Sequence, residues 1–183
     1  MYDAKQIYMA QISNLDKKYD PAIEPIRALY DEYFGGGMNS IVFQEMRETR
    51  GLAYSAWASI MPPSYLKYPY VLRTQIATQN DKMIDAVTTF NDIINNMPES
   101  EAAFKLAKDG LTNRLRTERI IKGDIIWSYI NAQDLGQNVD PRIKLYNDIQ
   151  NMSLKDIVDF QKQWVKGRTY VYCILGDKKD LEL

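Results

Sequence analysis

Three consecutive glycines, Gly35, Gly36 and Gly37, stand ahead of Met38, Asn39 and Ser40 and a helix-forming run; they are the first residues whose types suggest chemistry. Glycines before a helix N-terminus leave backbone N–H groups free to cradle an anion such as a phosphate. The spacing argues against that reading. Neither G-x-G-x-x-G nor a closing G-K-[ST] is present, and no strand-like run immediately precedes the glycines. Nucleophilic and metal chemistry are narrower still. The 183 residues contain no histidine and a single cysteine, so Ser-His-Asp, Cys-His and H-E-x-x-H arrangements are excluded, and no metal ligand is assigned. Cys173 lies in the alternating run "RTYVYCILG" and reads as a half-buried, inert strand residue that has no internal disulfide partner.

Composition removes further classes. A formal net charge of -1, with 45% hydrophobic and 26% charged residues, describes a soluble globule with no electrostatic pull toward nucleic acid or membrane. Lys105, Lys108, Arg114, Arg116, Arg119 and Lys122 gather on one expected helix. Glu101, Asp109 and Glu118 are mixed among them, as on a solvated helix face. No apolar leader opens the chain and no stretch is long enough to span a bilayer. The length suits one domain over residues 1–183. Met1 stands directly before strand-like alternation and "DKKDLEL" follows another strand, which reads as an excised piece of a larger protein.

The elements that must position the glycines follow from periodicity. Residues 4–13 alternate as a strand, with Tyr8, Ala10 and Ile12 on one face. A helix is expected from Asp20 as N-cap and Pro21 as first helical residue to a stop at Gly35, with Pro25 still in the first turns. Asn39 or Ser40 opens a second, short helix that Gly51 closes in the left-handed cap position. Residues 53–61 and 68–78 alternate as two antiparallel strands. Met83, Val87, Phe90, Ile94 and Met97 then fall at helical steps, and Phe104, Ala107, Leu111 and Leu115 mark a second helix from Ser100. Further helices are expected after Gly123, over 140–150 and over 153–166, where Ser153 and Asp156 make a capping-box start; "TYVYCIL" is the last strand. The order β, α, α, β, β, several helices, β predicts an α+β fold, a two-layer sandwich of a mostly antiparallel sheet with helices on one face. Trp57, Trp127, Trp164 and most tyrosines read as core or interface residues.

The stretch "GGGMNSIVFQEMRETRGLAYSAWAS" resembles the non-catalytic half of the pitrilysin and insulinase family of zinc metallopeptidases, which includes the mitochondrial processing peptidases. A glycine-rich turn, a serine before a short helix, an Arg-Glu pair and a Gly-Leu-Ala-Tyr run recur there in this order. The close likeness covers residues 34–59, and the coarse topology agrees over nearly the whole chain. The resemblance implies a division of labour: one half supplies zinc through H-x-x-E-H, and the companion half closes over it and holds the peptide. A chain without histidine has to be the companion, with no cofactor of its own and zinc in the other domain. The resemblance also points to an Arg and a Tyr spaced as in "RETRGLAY", here Arg47 and Tyr54, as substrate-binding residues, together with the turn of Gly35, Gly36 and Gly37. Arg47 is expected in a last helical turn and Tyr54 at the start of a strand, at one rim of the sheet, where a guanidinium and a phenol can donate to a substrate carbonyl or oxyanion. The plainer alternative is an Arg favoured by a helix C-terminus and a Tyr buried with its hydroxyl satisfied. Glycine at the turn would permit positive φ and let the backbone approach the chamber.

The expected partners are a peptide substrate and the zinc-binding domain, on the same chain or another, with a homodimer left open and neither nucleic acid nor membrane implied. A bacterial parent would be cytoplasmic or periplasmic. Two other readings stand beside this one. One is a non-enzymatic structural subunit, like the core proteins of the respiratory bc1 complex that share the fold. The other is an independent, dimerising binding module.

Overall fold

The computed structural model describes residues 6–176. Strands β1 (Gln6–Lys18), β2 (Ser55–Met61), β3 (Pro69–Gln79) and β4 (Val171–Leu175) form one sheet in the order β2-β3-β1-β4, and every neighbouring pair is antiparallel. Helices α1 (Glu24–Phe34), α2 (Ile41–Phe43), α3 (Met83–Asn95), α4 (Glu101–Thr117), α5 (Lys122–Asp134), α6 (Pro141–Ile149) and α7 (Leu154–Trp164) fill the intervals. The buried face of the sheet alternates along each strand, through Ile7, Met9 and Leu15 of β1, Ala56, Ala58 and Ile60 of β2, and Tyr70, Leu72 and Ile76 of β3. Helices cover that face. The α+β expectation is met, with a central antiparallel sheet flanked by helices.

The covered face of β1 is the one opposite Tyr8 and Ile12, which are 44% and 42% exposed. Two polar residues at core positions, Gln11 and Ser13, hide the pattern in the sequence. Gln11 is satisfied on both sides: its Nε2 donates to Asn91 Oδ1 (2.6 Å) and its Oε1 accepts from the Thr74 hydroxyl (2.8 Å). A buried amide with both ends paired carries no desolvation penalty of an orphan group. Cys173 pairs with Ala10 and therefore lies on the uncovered face, where it is exposed; the half-buried position expected for it is corrected. β1 also runs past residue 13. Its register against β3 shifts between Asn14 and Lys18, and Asp16 adopts φ 53° with its N–H donated to Asn14 Oδ1 (2.8 Å), a bulge that lets the strand continue.

α1 starts at Glu24 rather than after Asp20. Asp20 instead closes a turn, accepting from Ala22 N on its side chain (2.8 Å) and from Ile23 N on its carbonyl (3.0 Å). Pro25 takes the place in the first helical turn that sequence reading gave to Pro21, and its missing N–H costs nothing there. Other signals hold as read. Ser100 caps α4 by accepting from Ala103 N (3.2 Å), and the Ser153–Asp156 box opens α7 with Ser153 N donating to Asp156 Oδ2 (2.8 Å).

α1 and α7 meet over the sheet through rings. Tyr30 packs on Phe160 (5.1 Å between centroids), Phe160 stacks on Trp164 (5.1 Å), and Trp164 meets Tyr70 of β3 edge-on (5.3 Å). The one polar side chain of α7 buried with them, Gln161, accepts from the Tyr30 hydroxyl and donates to Ile94 O of α3, so three helices share one satisfied amide.

Candidate functional site

α1 ends against β2 at Gly35. A Cβ there would lie 2.3 Å from Ala58 O and 2.4 Å from Ala58 N, so only glycine lets the helix end sit on the strand. Gly35 is buried with φ -141°, whereas Gly36 and Gly37 are exposed. Positive φ, the expected reason for glycine here, is found at none of the three; the requirement at Gly35 is close approach. A polar clamp repeats the contact one turn earlier. Asp31 accepts from Ile60 N (2.8 Å), the Ser59 hydroxyl (2.9 Å) and Arg27 (2.7 Å), while Arg27 also donates to Ile60 O (3.0 Å) and Glu24 (2.9 Å). Burial pushes the Asp31 carboxyl up to about 6, against the lowering pull of Arg27 and the donors from Ile60 and Ser59.

Beyond the glycines the chain turns back toward the sheet rim. The Ser40 hydroxyl donates to Gly37 O (2.6 Å) and accepts from Phe43 N (3.4 Å), capping α2. After Phe43 the helix widens into a π-helix over Gln44–Thr49, tied to the glycine turn by Gln44 Nε2 donating to Met38 O (2.6 Å). Met46 is its buried anchor, and its carbonyl receives both Leu52 N (2.8 Å) and Ala53 N (3.2 Å) as the chain reverses. Gly51 makes that reversal with φ +58°, in the left-handed conformation expected for it. Open space surrounds it, so Gly51→Ala meets only the backbone penalty. A loss of about 1 kcal/mol is expected, read as a small shift of the urea midpoint with unchanged slope.

This path brings Arg47 and Tyr54 together. The Arg47 guanidinium lies over the Tyr54 ring (5.3 Å to centroid) and over the Phe43 ring (5.1 Å), with Glu48 Oε1 3.6 Å away. Tyr54 is 70% exposed and the Arg47 side chain 43%. Tyr54 N donates to Ala77 O (2.8 Å), which fixes the residue to β3 just before β2 begins. Among the described residues neither the guanidinium nor the phenol makes a hydrogen bond, though the Arg47 Nε lies 3.6 Å from the Glu48 carboxylate, and the phenol and part of the guanidinium are exposed. The ring face holds the guanidinium plane at little desolvation cost and leaves its N–H groups free for a carbonyl or carboxylate. A buried tyrosine, the plainer alternative for position 54, is not what the fold contains.

A cavity of about 520 Å³ lies elsewhere, between α1, α5 and α6, and includes neither Arg47 nor Tyr54. Tyr19, Glu24, Arg27, Tyr129 and Leu145 are among its walls, and Gln137 Nε2 donates to the Tyr19 hydroxyl across one side. Sequence reading gave no sign of it, because its walls come from distant segments. Among the described residues no group of three or more His, Cys, Asp or Glu could hold a metal ion, and no helix is long and apolar enough to cross a membrane.

The fold is a central antiparallel sheet covered by helices on one face, with a glycine turn and an exposed Arg–Tyr stack at its rim. The chain belongs to the peptidase M16 inactive domain family: residues 13–111 match the family model. It is similar to a peptidase M16 inactive domain from Pseudomonas fluorescens, at 15% identity with a TM-score of 0.78, over 97% of this chain and 42% of that one. An inactive peptidase domain from Bordetella parapertussis has a TM-score of 0.73 at 12% identity, over 94% of each chain. A curated relative from Helicobacter pylori, the non-peptidase homolog YmxG, is 27% identical over 152 residues. That match takes 79% of this chain and 34% of the relative, so the chain spans about a third of that protein's length.

Proposed function

We propose that this domain is the substrate-holding companion of a zinc metalloendopeptidase, closing over an H-x-x-E-H site on another domain where peptides are hydrolysed. Its own residues do not fit zinc, having no histidine and no donor cluster among the described residues, so its part is binding. The observation that carries the reading is the Arg47–Tyr54 stack: two exposed donor side chains without hydrogen-bond partners among the described residues, pinned at a sheet rim by a π-helix and a left-handed glycine. π-helical turns often accompany functional sites because they move one side chain out of the regular helical phase. In this role Arg47 and Tyr54 donate to the backbone carbonyls of a bound peptide, while the exposed Gly36 and Gly37 leave the surface of the preceding turn low. Gly35 contributes by letting the turn sit on β2.

The test is Arg47→Ala and Tyr54→Phe in the intact enzyme with an unstructured peptide substrate. Each is expected to lower kcat/KM by about tenfold or more. The melting temperature should barely move, since both side chains are exposed. Activity per folded molecule equal to that of the parent would remove the pair from the mechanism.

The non-peptidase name of the Helicobacter pylori relative favours a second reading, in which the parent keeps the fold as a structural subunit. The two part cleanly: an intact H-x-x-E-H in the companion half, with zinc bound and peptide cleaved, rejects the structural reading, and a companion half without that motif rejects the enzyme.

A further inference from the structure

α5 is the one α-helix among the described residues that buries no side chain. Ile126, Trp127 and Tyr129 are each 64% exposed, Ile125 55% and Ile130 38%. A soluble surface helix carries its apolar residues on a stripe turned to the core, and a helix apolar on several sides is ordinarily covered on several sides. On one side Ser128, Tyr129 and Ala132 look across the cavity toward α1. On the other, Ile126, Trp127 and Ile130, at i, i+1 and i+4, lie outside that lining and form a ridge facing away from the domain.

The helix is also poorly anchored by its own chain. Ile121 at its N-cap offers no side-chain hydrogen bond, Gly123 weakens the first turn, and the cavity separates α5 from α1. Thirteen residues without a packed face are marginal as a helix in water. Something else has to supply the missing contacts. The flank leans basic: Arg116 and Arg119 lead into α5 and Lys122 opens it, with Glu118 and Asp124 interspersed, and none of the three basic side chains takes part in an ion pair among the described residues.

We infer that the Ile126, Trp127 and Ile130 ridge is the surface on which the companion half of the parent protein docks, through an apolar patch bordered by acidic residues that meet Arg116, Arg119 and Lys122. The inference rests on the companion reading above. Two observations choose this occupant. The chain spans only about a third of the length of its Helicobacter pylori relative, so a parent of that size carries a further length of chain from which a companion could cover this ridge. The basic side chains of this border, in no ion pair among the described residues, favour an acidic rim on the partner, whereas a second copy of this chain would bring the same excess of basic residues to the contact. Exposed apolar ridges with a polar rim and a central tryptophan are the usual build of such interfaces.

Hydrogen–deuterium exchange separates the possibilities. Amides of residues 125–131 are compared in the 183-residue chain alone and in the intact protein that carries it. Exchange there is expected to slow by at least about tenfold in the intact protein. Trp127→Lys should abolish that slowing, while the melting temperature of the 183-residue chain changes little because Trp127 is 64% exposed within it. Equal α5 exchange in both forms overturns the docking surface. So does a 183-residue chain that sediments as a dimer and becomes a monomer with Trp127→Lys, since the ridge would then belong to a second copy. Protection around Arg47 and Tyr54 with α5 bare rejects this surface and keeps the companion reading; protection of α5 with Arg47 and Tyr54 bare keeps this surface and rejects the closing chamber.

Discussion

Gly35→Ala is expected to cost at least about 3 kcal/mol of folding stability. The new Cβ would lie 2.3 Å from Ala58 O, 2.4 Å from Ala58 N and 2.8 Å from Ala58 C, all backbone atoms of a paired strand. A flexible side chain can swing away from such a contact; the middle of β2 cannot, because Ala58 is held in register opposite Thr74 of β3. Relief would require α1 to lift off the sheet, which exposes Tyr33 and Phe34, both fully buried. Its neighbours supply the controls. At Gly37 the nearest atom to a new Cβ is Glu32 Oε1 at 3.9 Å, and its φ is outside the left-handed region, so Gly37→Ala should change stability by no more than about 0.5 kcal/mol. Gly36→Ala falls between them, with Asp31 O at 2.8 Å. Urea unfolding of the three variants measures the ordering. Equal losses at Gly35 and Gly37 would mean that the triplet acts through turn flexibility and not through contact with β2.

The same triplet marks how far the sequence carries. A run of glycines before a capped helix announces a turn, and Ser40, Gly51, Ser100 and the Ser153–Asp156 pair each appear where their local chemistry puts them, because caps and left-handed turns are decided within four or five residues. Arg47 and Tyr54 were also legible as neighbours, since one glycine turn spans the interval between them. What needed the structure was every arrangement that joins distant segments. The covered face of β1 depends on Gln11 finding Asn91 and Thr74, partners far along the chain, and without them its polar side chain argues for the wrong face. The reason for Gly35 lies in Ala58. Periodicity placed a helix after Gly123, yet it gave no means of telling that Trp127 would stand 64% exposed while Trp164, of the same residue type, closes the core. Apolar residues declare that they will be covered, and only the packing of the rest of the fold decides by what.

Asp31→Ala is expected to cost about 3–5 kcal/mol, on the scale of breaking a buried ion pair from one side. The loss has two parts. Arg27, whose side chain is only 15% exposed, keeps Glu24 but loses its second carboxylate, and Ile60 N on β2 loses its acceptor, leaving a backbone donor shielded from water. A fall in melting temperature of about 10 °C or more follows for a chain of this size. Proton linkage gives a second, independent readout. The Asp31 carboxyl sits at about 6 in the folded chain against 3.8 as a free side chain, so between those values the folded state holds a proton that the unfolded state has released. Stability from this group is therefore full below pH 4 and is lost as the pH rises through 6, a change on the order of 3 kcal/mol from this residue alone. Asp31→Asn keeps an acceptor for Ile60 N and cannot titrate, so its melting temperature should vary less between pH 4.5 and 7 than that of the parent. A parent profile that instead rises over that interval, with the asparagine variant rising less, would place the Asp31 carboxylate in the Arg27 pair as an ordinary depressed acid and reverse the sign of its contribution.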